Sequence, residues 1–582
     1  MKKINPILFF VMLAVLLTGC DLKKMAKKYD TVKYEAKPEV LEVHGGAVKV
    51  EVKGSIPAKY FGKKVTVEIQ PVLRYEGGTL PLKKIIIVGE KVVQGEGTII
   101  KKKEGGSFTF NDQFVYKPEM MVSELYIEAT ANQKKKTVTL GEVKIADGII
   151  ATSQRIVADN DVEIAAHGYE KVVTATKKAN LYFDYNSSNL TMSQKLNKLQ
   201  ANIDGINELK TFIELGWEIK DIIINAWASP EGELSINTKL SDERGKAGEK
   251  WFVDYMNSLD KNKAKELKVK VEDIKRVYTL VVNAKGEDYD GFMSAIQASN
   301  IPEKQAIINV IKMQPSKTQR EQEIKNMTVI YAEVEAILEP LRRSEIVVTC
   351  FEPKKTDEQI AEFAVTDPTK LDEKELLYAA TLTENEDTKL KIYKSASTQF
   401  PNSWKGFNNA GAILLKQGKT DEALTYIEKA NALAPNNGQI LNNMGVVYLR
   451  KQDRKAMSSF EQAKQAGINV NYNMSILKIQ SGDYDEALRL MSNTTCRYNL
   501  ALVQVLTGKP TDAVKTLDCM KKKTAEGFYL MAIIGARTGN TSMMYDNLKK
   551  ACAENPKYKA EAKKDREFLK YHENADFQNA VK

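Results

Sequence analysis

Four polar residues of one short stretch have the types and spacing of half a binding site. The stretch is WASPEGELSINTKLSDERGKAG, residues 227–248, in which a polar, glycine-containing loop precedes a helical pattern. Ser229 and Glu231 belong to the loop, and Asn237 and Arg244 follow at helical spacing. A guanidinium can hold a carboxylate through two parallel N–H···O bonds. We therefore expect Arg244 to bind a carboxylate, helped by Ser229, Asn237 and backbone amides.

Few other residues have the types and spacing that catalysis needs. The three histidines, His44, His167 and His572, are far apart in sequence, which argues against a histidine-based metal site or triad. GxSxG, HExxH, P-loop and CxxC motifs do not occur. Scattered carboxylates such as Asp184 and Glu231 are the remaining basis for an enzyme acting on glycan or peptide. We expect a protein that is not an enzyme, without a metal or a cofactor.

The first twenty residues have the pattern of a bacterial export signal. Two lysines precede an apolar run from Ile7 to Leu17, which is too short to cross a bilayer as a helix. The next residues, Leu-Thr-Gly-Cys, resemble the bacterial lipobox, whose cysteine takes up diacylglycerol before cleavage. We therefore expect a signal peptide over residues 1–19 and a lipid anchor on Cys20. A plain secretory signal is the alternative.

A basic segment, DLKKMAKKYD, follows the cysteine, and we expect residues 20–31 to form a tether. Bacteroidota surface lipoproteins tend to carry an acidic run here, so its absence favours the periplasmic leaflet of an outer membrane. Asp21 can instead signal inner-membrane retention in enterobacteria. The net charge of +10 is spread among acids, which fits anionic lipid or envelope polymers better than nucleic acid.

The chain of 582 residues is too long for one hydrophobic core, and its pattern divides it into three regions. Over residues 32–165, apolar and polar residues alternate in segments separated by Gly, Pro and Asn-Asp turns. This pattern predicts an all-β antiparallel sandwich. The sandwich serves either as a docking surface or as a spacer.

The second region, residues 169–355, alternates strand and helix patterns. YFDYNSSNL at its start and NxxLSxxR in its second helix resemble the C-terminal domain of the OmpA family, an α+β fold that binds peptidoglycan in many envelope proteins. The resemblance implies that Arg244 clamps the carboxylate of diaminopimelate. The family aspartate that takes its ammonium group is replaced by Ser229, and Glu231 could supply the lost charge. The alternative is that Arg244 only pairs with a local carboxylate.

The same region contains an insertion. GEDYDGF and the helical pattern after it, about residues 286–340, precede the closing strand and resemble a variant of the domain in Bacteroidota lipoproteins and fimbria-associated proteins. We expect either a helical flap or a place for a specific partner.

The third region, residues 366–570, is a repeat array. NNAGAILLKQGKTDEALTYIEKANALAP has the small and large residues of a tetratricopeptide (TPR) repeat, and later units repeat the pattern at shorter spacing. The second helix near Ala487 must therefore be brief. The charged end, AEAKKDREFLKYHENADF, should face solvent as a cap.

TPR arrays form an all-α solenoid that binds extended or helical peptides on its concave face. An asparagine can clamp a peptide backbone because its amide offers both a donor and an acceptor. The predicted concave residues are Asn408, Asn409, Asn442, Asn443, Tyr472, Asn473, Tyr498 and Asn499. The alternative is that these side chains are merely solvated.

Two cysteines of one repeat are candidates for a disulfide. Cys496 and Cys519 lie where the start of the first helix and the end of the second lie side by side, because the helices are antiparallel. A bridge is compatible with an oxidising periplasm. The alternative is two small buried apolar residues.

Together these features predict a lipid-anchored envelope scaffold on the periplasmic side of the outer membrane. It would recruit a protein partner through the TPR array and contact peptidoglycan through the OmpA-like domain. The alternative is an accessory subunit of an outer-membrane assembly, secretion or fimbrial machine, in which that domain docks protein.

Overall fold

The computed structural model describes residues 20–93, 96–274, 276–330 and 332–582, so the predicted signal peptide lies outside the described residues. Within these ranges, no helix has both the length and the apolar character needed to cross a membrane. The chain forms two compact units. The first combines residues up to His167 with those from Ala364 onwards, and the second is residues 168–363.

The N-terminal part of the first unit is a helix followed by ten strands around one apolar core. The elements are α1 (Cys20–Lys27), β1 (Lys33–Lys37), β2 (Val40–His44), β3 (Ala47–Ile56), β4 (Thr66–Tyr75), β5 (Gly78–Pro81), β6 (Ile85–Gly89), β7 (Thr98–Ile100), β8 (Gly106–Val115), β9 (Ser123–Gln133) and β10 (Lys136–Ile150). The strand order is β1-β3-β2-β10-β9-β4-β6-β7, with β5 on β4 and β8 on β3. The predicted sheet-rich region is confirmed, although β2–β10 and β6–β7 are parallel pairs.

The segment predicted to be a basic tether is instead part of this fold. Leu22 and Met25 of α1 are buried in the core of the sheet region. Their spacing places both on one helix face and leaves the lysines on the other. The Tyr60 hydroxyl donates to the carbonyl of Met25 at 3.1 Å and fixes the helix end. Residues 20–27 are therefore packed onto the sheet region as a helix.

The sheet region ends earlier than predicted. Its last strand ends at Ile150, whereas the pattern placed the boundary at residue 165. Residues 155–167, which we call the strap, form neither helix nor strand. They leave the sheet region and lie along the C-terminal helices of the same unit.

The C-terminal region is all-helical. Its helices, numbered in chain order after those of the second unit, are α8 (Asp357–Thr366), α9 (Glu373–Ala379), α10 (Glu386–Gln399), α11 (Trp404–Lys416), α12 (Thr420–Leu433), α13 (Gly438–Arg450), α14 (Lys455–Gln465), α15 (Asn471–Gln480), α16 (Tyr484–Leu490), α17 (Tyr498–Leu506), α18 (Pro510–Asp518), α19 (Ala525–Thr538), α20 (Thr541–Glu554), α21 (Lys557–Lys564) and α22 (Ala575–Ala580). Paired helices approach closely at small residues: a Cβ on Gly411 would lie 2.5 Å from Ile427. Helix α16 is only seven residues long.

The charged C-terminal segment is not the solvent-facing cap that its composition predicts. Phe568 and Phe577 are buried in the core of the last helices. The Arg566 side chain donates to the carbonyl of Gly148 in β10 at 2.9 Å. Arg537 pairs with Glu42 of β2 at 2.7 Å. These charges therefore join the array to the sheet region.

The second unit is a four-stranded sheet with helices. It contains β11 (Thr174–Tyr182), α2 (Gln200–Glu214), β12 (Ile219–Ala228), α3 (Leu234–Leu267), β13 (Thr279–Glu287), α4 (Tyr289–Ala298), α5 (Lys304–Met313), α6 (Lys317–Ile330), α7 (Ala332–Leu338) and β14 (Arg343–Phe351). The order is β11-β14-β12-β13, with only β12–β13 parallel. The helices α2 and α3 share the main core with the sheet, and α4–α7 have a small core of their own.

Candidate functional site

The predicted concave residues of the array lie against the strap. We call Asn408, Asn409, Asn442, Asn443, Asn473 and Asn499 the asparagine row; each is at most 1% exposed. They come from the first helices of four successive repeats, α11, α13, α15 and α17. The extended strap crosses these helices in reverse order, from α17 to α11. The site predicted for an external peptide is thus filled by the chain itself.

Four amides of the row each clamp one strap residue through its backbone. The N–H of Ala165 donates to Oδ1 of Asn409 at 2.7 Å, and Nδ2 of Asn409 donates back to the Ala165 carbonyl at 3.1 Å. Asn443 clamps Glu163 in the same way, with both distances 2.8 Å. A side-chain amide carries its acceptor and its donor on two separate atoms, which match the N–H and C=O groups of one extended residue.

The same clamp recurs further along the strap. Asn473 holds Asp161 at 2.9 and 2.7 Å, and Asn499 holds Val157 at 3.0 and 2.9 Å. Clamped residues are an even number of positions apart, because alternate residues of an extended chain face the same side. These clamps contact backbone atoms, so they impose no requirement on the strap's side chains.

The two remaining asparagines brace the row. Asn408 donates to the carbonyl of Glu163 and Asn442 donates to that of Asp161, both at 3.0 Å. Each also accepts from the asparagine of the next repeat at 2.9 Å, namely Asn443 and Asn473. Five asparagines of the row therefore form one continuous hydrogen-bonded network, and Asn499 is linked to it through the strap.

Side chains of the strap are recognised at one end of the row. The Tyr472 hydroxyl donates to the Asp159 carboxylate at 2.7 Å, and Asn499 donates to it at 2.6 Å. Arg497 pairs with Asp161 at 2.7 Å and lies 3.4 Å over the Tyr472 ring. Burial raises the pKa of Asp159, and the bonds from Tyr472 and Arg497 oppose that rise.

The first strap residue is basic and meets acids of the last helices. Arg155 pairs with Asp565 at 2.6 Å and with Glu561 at 2.7 Å. Its guanidinium lies 4.2 Å over the ring of Tyr529, whose hydroxyl also donates to Asp565. The array therefore binds acidic side chains of the strap through Arg497 and the basic side chain of the strap through Glu561 and Asp565. We call the surface of the array that the strap occupies the groove.

Tyr498, one of the predicted concave residues, is buried inside the array. It forms no hydrogen bond to the strap among the described residues. The sequence did not indicate Arg497 or the strap itself, because the strap mixes apolar and acidic residues and its pattern was assigned to the sheet region. Asn-Asn and Tyr-Asn pairs at repeat spacing were the only available signal.

The structure joins Cys496 and Cys519 in a disulfide, with their Cα atoms 5.2 Å apart. The bridge closes the repeat made of α17 and α18. Cys496 directly precedes Arg497, so the bridge also fixes the backbone from which that guanidinium reaches the strap.

The second unit contains the predicted Arg244 site. Arg244 is 1% exposed, and its guanidinium donates to the carbonyls of Ser187, Trp227 and Asp184 at 2.9, 3.1 and 3.3 Å. No carboxylate of the described residues lies within salt-bridge distance of it. Burial and the neighbouring Arg342 lower the pKa of Arg244 to about 10. The alternative, in which Arg244 pairs with a local carboxylate, is therefore wrong.

Glu231 is directed inward, in contrast to the one-sided site that the serine replacement suggested. Its Oε1 accepts from the Ser229 hydroxyl at 2.6 Å and from Arg342 at 2.9 Å. Its Oε2 is buried and has no hydrogen-bond partner among the described residues. Arg342, directly before β14, also pairs with Glu335 at 2.8 Å. The sequence analysis missed Arg342, although it belongs to a tandem arginine pair next to a strand.

Asn237 holds the loop together. Its Nδ2 donates to the carbonyls of Ser229 and Gly232 at 3.1 Å and to Glu287 at 2.9 Å. We call the cavity next to these groups the Arg244 pocket; it measures about 320 Å³ and is lined by Tyr185, Asn186, Ser229, Glu231, Gly232, Glu233, Ile236, Asn237, Leu240, Arg244, Thr318, Glu321, Gln322 and Lys325. That volume suits a small polar group.

The insertion supplies one wall of the pocket and a second carboxylate. Glu321 of α6 is buried and faces Glu287 at the end of β13. Burial first, and then the charge of Glu321, raise the pKa of Glu287 to about 7. In the described part of the chain, no three His, Cys, Asp or Glu side chains are grouped to hold a metal ion.

Comparisons with known proteins agree on the repeats. The tetratricopeptide repeat family matches residues 404–437. The BBSome complex member BBS4 of Bos taurus is 27% identical over 148 residues, and the match covers 23% of this chain and 28% of that protein. The chain thus spans less than a third of that relative.

Solved structures similar to this chain include other TPR proteins. A tetratricopeptide repeat protein from Parabacteroides merdae is 16% identical, with 45% of this chain and 98% of that chain covered and a TM-score of 0.28. PilW, a type IV pilus biogenesis factor, is 16% identical, with 40% and 100% covered and a TM-score of 0.26. The predicted TPR repeats are confirmed, and such repeats generally mediate protein–protein interaction.

Proposed function

We propose that this chain is a lipid-anchored scaffold of the bacterial envelope, facing the periplasm. Cys20 carries the anchor, the TPR array recruits a protein partner, and the OmpA-like second unit holds a carboxylate of peptidoglycan. The observation on which the wall contact depends is the arrangement in the Arg244 pocket. Among the described residues, the buried guanidinium of Arg244 has no carboxylate partner, and it lies beside a glutamate with an unpaired oxygen.

The pocket lining carries both signs of charge, which favours a ligand with both a carboxylate and an ammonium group. Arg244 and Lys325 are its cations, and Glu231, Glu233 and Glu321 are its acidic residues. A diaminopimelate side chain would place its carboxylate against Arg244 and its ammonium against Oε2 of Glu231. Glu231 thus takes the part of the family aspartate that Ser229 replaces.

Sedimentation with purified cell wall tests the wall contact. Arg244→Lys keeps the charge but loses the two-pronged guanidinium, so we expect binding to fall at least about tenfold. The matched control is Lys246→Ala, which removes a cation of the same helix that pairs with Asp242. Equal sedimentation of wild type and Arg244→Lys, or none by wild type, would show that the wall contact is wrong.

Anchoring is tested separately. Cells fed radiolabelled palmitate should label the wild-type chain but not Cys20→Ala, because the mature N-terminal thiol is the acylated group. Outer-membrane fractions should contain the wild type, and the variant should move to the soluble periplasm. Label on the variant would contradict the anchor.

A second candidate is a subunit of an outer-membrane machine whose second unit docks protein. The pairing of Glu231 with Arg342 inside the pocket favours it, because an internal partner already neutralises that carboxylate. Crosslinking in intact cells, followed by mass spectrometry, separates the two functions. A stoichiometric protein crosslinked to the helices α4–α7 supports docking, whereas muropeptides alone support the wall contact.

A further inference from the structure

The strap shows which chemistry the asparagine row accepts. Every amide of the row is engaged: four clamp backbone N–H and C=O groups, and two brace carbonyls. All six side chains are at most 1% exposed. While the strap is in place, no amide of the row is available to clamp a second extended chain.

We propose that the strap is an autoinhibitory ligand that closes the TPR groove in cis to other extended peptides. The ligand class is an extended segment with a basic residue followed, four and six positions later, by acidic residues, as in Arg155, Asp159 and Asp161. The row clamps any extended backbone. Arg497 and Asp565 supply the side-chain selection.

The covalent connection makes the closure strong. Just before the strap, the Ser153 hydroxyl donates to the Val43 carbonyl at 2.6 Å, and the Thr152 hydroxyl donates to Glu567 of the array. These contacts hold the strap beside the groove, at an effective concentration on the order of millimolar. With an intrinsic affinity of the strap for the groove on the order of 1–10 μM, a competing peptide would bind about a hundred- to a thousandfold more weakly to the closed groove than to an empty one.

This inference rests on the proposed function only in taking the array as the site of partner recruitment. A partner segment of the same chemistry binds once the strap is released. A partner that binds while the strap is in place has to use another surface of the array.

Peptide binding in trans tests the closure with the full chain. The probe is a fluorescent synthetic peptide of residues 155–167, and anisotropy measures its binding to wild type and to a variant whose residues 156–166 are a Gly-Ser linker of equal length. We expect the linker variant to bind at least about a hundredfold more tightly than wild type. Adding Asn443→Ala and Asn473→Ala to the linker variant should abolish this binding.

Three results would overturn the proposal. Wild type binding the peptide as tightly as the linker variant would mean that the strap does not close the groove. A folded linker variant that fails to bind would mean that the segment is no groove ligand. Binding unaffected by the two alanine substitutions would place the peptide elsewhere.

Hydrogen exchange provides a second measurement if the linker variant does not fold. In wild type the amides of Val157, Asp161, Glu163 and Ala165 should be protected, because each donates to an asparagine. Asp159→Ala with Asp161→Ala should speed their exchange at least about tenfold.

Glu163→Ala is the matched control, since Glu163 is held through its backbone, and it should leave those rates unchanged. Unprotected strap amides in wild type would refute the closure. Neither measurement involves membrane, cell wall or a recruited partner. Failure of the proposed function and failure of the closure are therefore distinguishable.

Discussion

The asparagine row and the Arg244 pocket both bury amide and charged groups, but they differ in what remains unpaired. In the row, each clamping amide has both its donor and its acceptor satisfied by the strap. In the pocket, Arg244 donates only to backbone carbonyls of the described residues, and one oxygen of Glu231 has no hydrogen-bond partner among them. A buried polar group without a partner costs free energy, so the unpaired oxygen of Glu231 can accept a hydrogen bond from a ligand or from water. The row is a completed site, whereas the pocket is an open one.

The largest expected effect comes from breaking the ion pair of the pocket. Arg342→Met leaves Glu231 buried without its cation, which should cost about 3–5 kcal/mol in the free energy of unfolding. Chemical denaturation measures this loss. Combining Arg342→Met with Glu231→Gln should recover most of it, because the uncompensated charge is then absent.

A surface pair of the same sheet is the control for that prediction. Lys178 and Glu345 lie 3.0 Å apart, and the lysine is 67% exposed. Lys178→Met should cost at most about 1 kcal/mol. A comparable loss in both variants would mean that the pocket pair is not specially buried.

The next effect concerns the repeat that holds Arg497. Replacing Cys496 and Cys519 by serine removes a bridge across a separation of 23 residues, which should cost about 3 kcal/mol. Denaturation with and without reductant measures it. Reductant should lower wild type to the level of the variant and leave the variant unchanged. If it also destabilises the variant, the bridge is not the cause.

A smaller effect is expected from one clamp of the row. Asn443→Ala leaves the backbone N–H and C=O of Glu163 without these partners, which should cost about 1–3 kcal/mol. Gln462→Ala, on the exposed face of α14, should change stability by no more than about 0.5 kcal/mol. Equal values would contradict a completed row.

The smallest effect is a pH dependence at the edge of the pocket. The raised pKa of Glu287 means that its protonated form is favoured in the folded state. Its stabilisation is complete below about pH 4.5 and is lost as pH rises through about 7. Glu287→Gln should flatten the fall of the thermal midpoint over this window.

Glu272→Gln replaces an exposed carboxylate of the same unit and should leave the slope unchanged. An unaltered slope in Glu287→Gln would mean that Glu287 does not titrate in this range. It would also remove the distinction between this wall of the pocket and an ordinary surface.

Sequence alone determined the features that depend on local periodicity. Alternation predicted the sheet-rich region, and small residues at repeat spacing predicted the helix pairs, since a Cβ at Gly411 would clash with Ile427. The paired Asn positions also predicted the polar face, because amide side chains recur at one place in each repeat. The predictions of a basic tether and of a charged C-terminal cap were wrong, because a few apolar residues of these charged segments, such as Leu22 and Phe568, are buried in a core.

Only the tertiary structure decided what those elements contact. The strap and Asn443 are 280 residues apart, so no local pattern links the clamp to its occupant. Glu231 and Arg342 are separated by 111 residues and meet because β14 lies beside β12 in the sheet. Local propensity fixes which face of a helix or strand is polar. Which chain segment or charge completes that face is fixed by long-range packing.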